Sequence, residues 1–259
     1  MGGRGRVGVV AGGVVVAALG LSACGASAGD DKEPEHRAFA LHGRTLTVDS
    51  DDSALELVVA DSDTAKGKVE VTRWFDGHVV VGGDPKVTWA MKDDRLTLRM
   101  KCSGMVADCS AKHRIVVPRG VAVTVRDGDG RVTADGFKEA LRIRTSDGSV
   151  RVTGSSGPLE LNSADGSVSA LRIGSRQVHA STQDGSVRLE LAVVPDLVES
   201  RSQDGSVTIG LPARAGTAYR VTTKTGDGSV DVSVPRDKGS SHVVSARTSD
   251  GKVTVRTVN

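Results

Sequence analysis

The chain has 259 residues, with 34 Lys and Arg against 32 Asp and Glu, three Cys and six aromatics. Its length admits one large domain or two small ones, and a charged fraction of 25% argues against wholesale disorder. The aromatics (Phe39, Trp74, Phe75, Trp89, Phe137, Tyr219) are too few and scattered for a base- or sugar-stacking platform, and 32 Gly beside seven Pro fits tight turns between short strands.

Residues 1–23 read as a secretory signal. Arg4 and Arg6 precede an uncharged run of 14 residues, 7–20, which is followed by Leu21-Ser22-Ala23-Cys24. That run is short of the ~20 residues a membrane-spanning helix needs. Leu-Ser-Ala-Cys resembles the lipobox of bacterial lipoproteins, and the resemblance implies cleavage before Cys24 and a diacylglyceryl group, usually with a further acyl chain, on that residue. Two acyl chains suffice for stable anchoring, so the expected location is the extracytoplasmic face of the cell membrane. Cleavage removes two arginines and leaves 32 basic and 32 acidic side chains. Without a net field to attract DNA or RNA, no nucleic-acid partner is expected.

Residues 24–42 are small, polar and charged, a flexible tether after the lipidated Cys. From 43 to 118 a β region is expected, because short runs with period-two alternation (45–48, 54–59, 68–75, 86–91, 95–100, 113–117) are separated by Gly and Asp turn signals. Cys102 and Cys109 form a C-x6-C pair, and outside the cytoplasm the natural reading is a disulfide that pins residues 103–108. His113 is nearby, but the spacing matches no common zinc pattern.

Residues 119–259 contain a repeat. An Asp-Gly pair recurs at Asp129-Gly130, Asp147-Gly148, Asp165-Gly166, Asp184-Gly185, Asp204-Gly205, Asp227-Gly228 and Asp250-Gly251, with successive glycines 18, 18, 19, 20, 23 and 23 residues apart. Two residues after each Gly stands a valine (Val132, Val150, Val168, Val187, Val207, Val230, Val253). Seven before it stands Val or Leu. Three before it stands a hydroxyl (Thr145, Ser163, Thr182, Ser202, Thr225, Thr248), except for Asp127. Such offsets put apolar residues on one face of a strand before each turn and one face of a strand after it. The expected turn chemistry is Gly accepting positive φ and Asp bonding backbone amides ahead of it. A unit this short cannot bury its own apolar face, so units must stack. The expected fold is all-β: a β-solenoid with Asp-Gly turns, preceded by the short-strand β region, with a meander-built sandwich as the competing packing. Inward Ala134, Ala170, Ala180, Ser200 and Ala246 suit a thin core without room for a substrate.

The segment Val116-Val117-Pro118-Arg119-Gly120-Val121, followed by the Asp-Gly-Ser-Val repeats, resembles the bacterial putative-adhesin family, also called toast-rack domains. The resemblance covers about residues 40–259 and implies stacked strands in an envelope setting. The family has no known biochemical function and offers no site residues to carry over.

No catalytic, cofactor-binding or metal-binding residue is assigned. The turn aspartates should form a row about one rung apart, where neighbouring charges repel by roughly 0.9 kcal/mol in water. Arg126, Arg144, Arg201, Lys224 and Arg247, four residues before the glycines, are expected beside that row as its neutralising partners. Calcium on the row is the sharper alternative, but the nonapeptide of calcium-binding β-rolls is missing. Asp49, Asp51, Asp52, Asp61 and Asp63 read as turn residues. The six histidines lie far apart, and neither a G-x-S-x-G elbow nor a phosphate loop with its helix is present. The reading is therefore a non-catalytic envelope lipoprotein that presents its surface to a protein or cell-wall glycan, with self-association through sheet edges open to it. The alternative is a carbohydrate-binding or polysaccharide-cleaving protein on the same scaffold.

Overall fold

The structure is a computed structural model that describes residue 28 and residues 31–61, 67–79, 81–105 and 107–258. The expected signal, Cys24, most of the early tether and Asp63 lie outside the described residues. The N-terminal strands are β1 (Glu35–Ala40), β2 (Thr45–Ser50), β3 (Ala54–Val59), β4 (Lys68–Val79), β5 (Lys86–Lys92), β6 (Arg95–Lys101) and β7 (Ala107–Val117). The repeat supplies β8 (Ala122–Asp127), β9 (Val132–Asp135), β10 (Leu141–Thr145), β11 (Val150–Thr153), β12 (Leu159–Ser163), β13 (Val168–Ile173) and β14 (Gln177–Ser181). It continues through β15 (Val187–Leu191), β16 (Leu197–Arg201), β17 (Val207–Pro212), β18 (Arg220–Lys224), β19 (Val230–Ser233), β20 (Val243–Arg247) and β21 (Val253–Val258). No helix among the described residues is long and apolar enough to cross a membrane.

Two sheets face each other. The eleven-stranded sheet runs β1-β4-β7-β3-β9-β11-β13-β15-β17-β21-β19, and the ten-stranded sheet runs β18-β20-β16-β14-β12-β10-β8-β2-β6-β5. Within the repeat the chain alternates between them, so each rung is one strand of the ten-stranded sheet, an Asp-Gly turn and one strand of the other. Rungs stack parallel and in register, as in Leu141↔Leu159 and Val150↔Val168. The expected solenoid is the observed fold. The residues of 43–118 and 119–259 contribute strands to the same two sheets, and so does β1, which corrects the expectation of a flexible tether as far as residue 42: Phe39 and Leu41 enter the core and hold this segment in the sheet.

The core is the set of inward columns. Val132, Val150, Val168, Val187, Val207 and Val253 are at most 1% exposed, as are Val123, Leu141, Val178, Val198 and Val244. Ala134, Ala170, Ala180, Ser200 and Ala246 lie inward as expected. Val230, in contrast, is 45% exposed because its rung is the outermost.

Three features of the stack were not visible in the repeat. First, β2 and β3 form a further rung whose turn is Ser50-Asp51-Asp52-Ser53. Leu46 pairs with Val123 and Leu55 with Val132, which puts Ser53 in the glycine position and Ser50 in the hydroxyl position. Second, β6 and β7 form another rung beside it (Leu96↔Val48, Ile115↔Leu57), whose turn is closed by the Cys102–Cys109 disulfide, Cα–Cα 6.2 Å. Third, the chain leaves the stacking order at its end. β20 and β21 lie between the β16–β17 rung and the β18–β19 rung, so the last rung in sequence is interior and the preceding one is the edge.

The ends of the core are closed differently. At the N-terminal end antiparallel β1, β4 and β5 extend the sheets, and Trp89 packs on the core with its ring 6.2 Å from Phe39 and the Arg73 guanidinium 4.4 Å from its centroid. At the other end Tyr219 is fully buried and donates its hydroxyl to the Pro212 carbonyl at 3.0 Å.

Candidate functional site

The turn row is built by close stacking. A Cβ on Gly148 would lie 1.9 Å from the Gly130 carbonyl oxygen, and one on Gly166 2.1 Å from that of Gly148. Of the seven repeat glycines, Gly228 and Gly251 alone have positive φ. Approach of the neighbouring rung, more than backbone conformation, therefore demands glycine here, which corrects the expectation of a positive-φ turn.

The hydroxyl three residues earlier does the capping expected of aspartate. Ser163 Oγ accepts from its own Gly166 amide at 2.9 Å and donates to the Gly148 carbonyl of the preceding rung at 2.9 Å. Thr182 and Ser202 repeat the arrangement. A hydroxyl fits because it can give and receive at one buried atom. The aspartates at the turns are exposed, and no side-chain hydrogen bond or ion pair forms on any of the seven among the described residues.

Asp127 occupies that column between Ser50 and Thr145 and is 8% exposed. A carboxylate there could accept from Gly130 but could not donate to the rung below. The Ser50 hydroxyl and Gly130 amide favour its ionised form, yet neither carboxyl oxygen has a partner in hydrogen-bonding geometry. Burial, helped by the charges of Asp52 and Asp129, pushes the acid up to about 8. At neutral pH this is a protonated acid standing where its neighbours carry hydroxyls.

His113 replaces an inward aliphatic, paired with Leu55, and is fully buried without a partner for either ring nitrogen. Burial first, and then the Arg73 charge, pull it down to about 4, so it is a neutral core residue. Among the described residues no three His, Cys, Asp or Glu side chains are placed to hold a metal ion. Asp49 is engaged by Arg95 at 3.1 Å and Arg99 at 2.9 Å, and Asp51 by Arg99 at 3.4 Å.

What remains as a surface is the outer face of the ten-stranded sheet, where two side-chain columns run across the strands. In one, basic and acidic residues alternate from rung to rung: Arg142, Glu160, His179, Glu199. It satisfies itself, with Arg142 on Glu160 at 3.0 Å and His179 on Glu199 at 2.9 Å. The other column continues from Asp49, which Arg95 and Arg99 hold, and reads Arg126, Arg144, Asn162, Ser181, Arg201, Arg247, Lys224. Arg144 reaches Glu160 at 3.9 Å, whereas Arg126, Arg201, Arg247 and Lys224 have no carboxylate partner among the described residues. The expected neutralisation of the turn aspartates by this column does not occur: among the described residues no ion pair joins the two rows, because each aspartate lies three positions on from its basic residue, past the bend of the turn.

Comparison with known proteins places this architecture. A family model described as Toastrack DUF4097 matches residues 27–257. No curated protein matches. Among solved structures, the chain is similar to a putative adhesin from Parabacteroides merdae, at 14% identity and TM-score 0.46, over 88% of this chain and 97% of that one. It is also similar to a putative cell adhesion protein from Clostridium sporogenes, at 12% identity and TM-score 0.38, over 87% and 100% of the two chains.

Proposed function

We propose that this chain, which belongs to the Toastrack DUF4097 family, is a non-catalytic cell-envelope lipoprotein that acts by presenting the outer faces of its stack to a protein or cell-wall partner. The observation that supports this reading is the filled interior. The inward columns are buried and chiefly aliphatic through the stack as far as the exposed edge rung, and varied chemistry is displayed outward in long columns. Such a surface suits distributed contact more than the converging groups a reaction centre needs. The lipid on Cys24 would hold the stack at the membrane, with the segment before β1 as spacer.

Crosslinking on intact cells, followed by mass spectrometry of captured neighbours, tests the binding role. A recurrent envelope partner is expected, and its capture should fall when outward Arg and Asp are replaced on one face. Fractionation of Cys24→Ser tests the anchor: release from the membrane is expected, and unchanged retention would refute it.

A further inference from the structure

We propose that the basic column on the ten-stranded sheet is a binding track for a linear polyanion of the cell envelope, lying along the stacking axis. The inference rests on the surface-binding reading and names the face and the chemistry of its partner.

The argument begins with the contrast between adjacent columns. Rung stacking at ~4.8 Å forces whatever occupies one offset into a row. Where Arg142, Glu160, His179 and Glu199 occupy it, alternation gives each side chain a partner on the next rung. Two residues along the same strands, Arg201, Arg247 and Lys224 fall on three successive rungs with no acid between them. Neighbouring cations one rung apart repel, and among the described residues no carboxylate pairs with them to offset it. An external anion would.

The shape of the surface agrees. Between Arg144 and Arg201 the column narrows to Asn162 and Ser181, short side chains joined by a hydrogen bond of 2.6 Å. Three hollows of about 410, 440 and 320 Å3 run along this line, and Asn162 borders all three. Glu160 and Glu199 edge two of these hollows, and the shallow channel they make has Arg126 and Arg144 at one end and Arg201 and Arg247 at the other. Lys224 continues the cation row one rung further, so the row from Arg126 to Lys224 spans six rung steps, about 29 Å by strand spacing. Cations spread in a line do not converge on a small anion. They match a polymer with a negative group on each unit, which gains by engaging several sites at once. The same stretch of the face presents no Phe, Tyr or Trp on which bases could stack, which disfavours nucleic acid.

The test uses the full chain and two probes, polygalacturonate for carboxylates and long-chain polyphosphate for phosphates, titrated at low and at physiological salt. Wild type should bind at least one of them, with affinity falling as salt rises, and the tighter probe identifies the charged group. R201Q/R247Q/K224Q should lose about tenfold or more and show a flatter salt dependence. R151Q/R188Q/R256Q, which removes as much charge from the other sheet, should stay within about twofold of wild type. The track variant should also melt at or above the wild-type temperature, since it relieves repulsion. Binding of neither polymer, equal loss in both variants, a lower melting point, or tighter binding of single-stranded DNA than of either probe would overturn the proposal. A protein or neutral-glycan partner captured on cells would leave the broader surface-binding role standing even then.

Discussion

Replacing Asp127 with Thr should stabilise the protein at pH 8 and remove part of its pH dependence. The acid is pushed up to about 8 from 3.8. Between those values the native state keeps a proton that the unfolded chain has released, so stability falls as pH rises. The contribution is full below about pH 4 and lost by about pH 8. Four pH units at ~1.4 kcal/mol each set an upper magnitude on the order of 5 kcal/mol, and relaxation of the turn will reduce it. Threonine should restore the pattern made by Thr182, which donates to the preceding glycine carbonyl at 2.8 Å and accepts from its own Gly185. The groups facing the site, Ser50, Asp52, Asp129 and the Gly130 amide, remain in both proteins. Urea unfolding of wild type and Asp127→Thr at pH 5 and pH 8 isolates the effect, because other titrations cancel in the difference. The expected gain for the variant is several kcal/mol larger at pH 8 than at pH 5. An equal gain at both, or a variant less stable at pH 8, would refute a buried protonated acid.

His113 should act in the opposite direction. Held at about 4 against 6.5 when exposed, it contributes stability above pH 6.5 that is lost as pH falls towards 4, roughly 3 kcal/mol. His113→Val, which matches its column, should flatten the acid limb of a thermal-melt series. Gly166→Ala should cost ~3 kcal/mol or more, because its Cβ would lie 2.1 Å from a backbone oxygen that the stack cannot move. Denaturant midpoints will read this, and a loss below ~1 kcal/mol, the ordinary range for Gly in an accommodating turn, would contradict the close-approach explanation. Cys102→Ser with Cys109→Ser opens a loop with a sequence separation of 7 and should cost about 2.5 kcal/mol. Hydrogen exchange should show that loss near β6 and β7, with the later rungs little changed.

The repeat was legible because its columns are chemically pure. Valine two residues past each glycine and a hydroxyl three before it can be aligned by eye, and they predicted which faces are buried. The β2–β3 rung escaped because its turn has Ser53 where the others have glycine, although Leu46, Val48, Ser50, Leu55 and Leu57 fit every other offset. Its neighbour is the first repeat rung, whose own column residue is Asp127, so the rung without a turn glycine meets the rung without a column hydroxyl. The reordered end left a fainter signal. Glycine spacing grows to 23 residues at the last two steps, length the chain uses to pass over a vacant rung position and return to it. Sequence offsets carry no such spatial order. Nor could they separate the two outward columns into one that pairs internally and one that does not, since that depends on which rungs become neighbours.

The reordered end also has a mechanical consequence. Traction on the C-terminus does not peel an exposed strand one bond at a time. It loads β21 along its length against β17 on one side and β19 on the other, so two rows of hydrogen bonds must yield together. Once they do, the β18–β19 rung loses its seat as well. β21 thus works as a locking pin, since the edge rung beyond it stays in place only while this strand does.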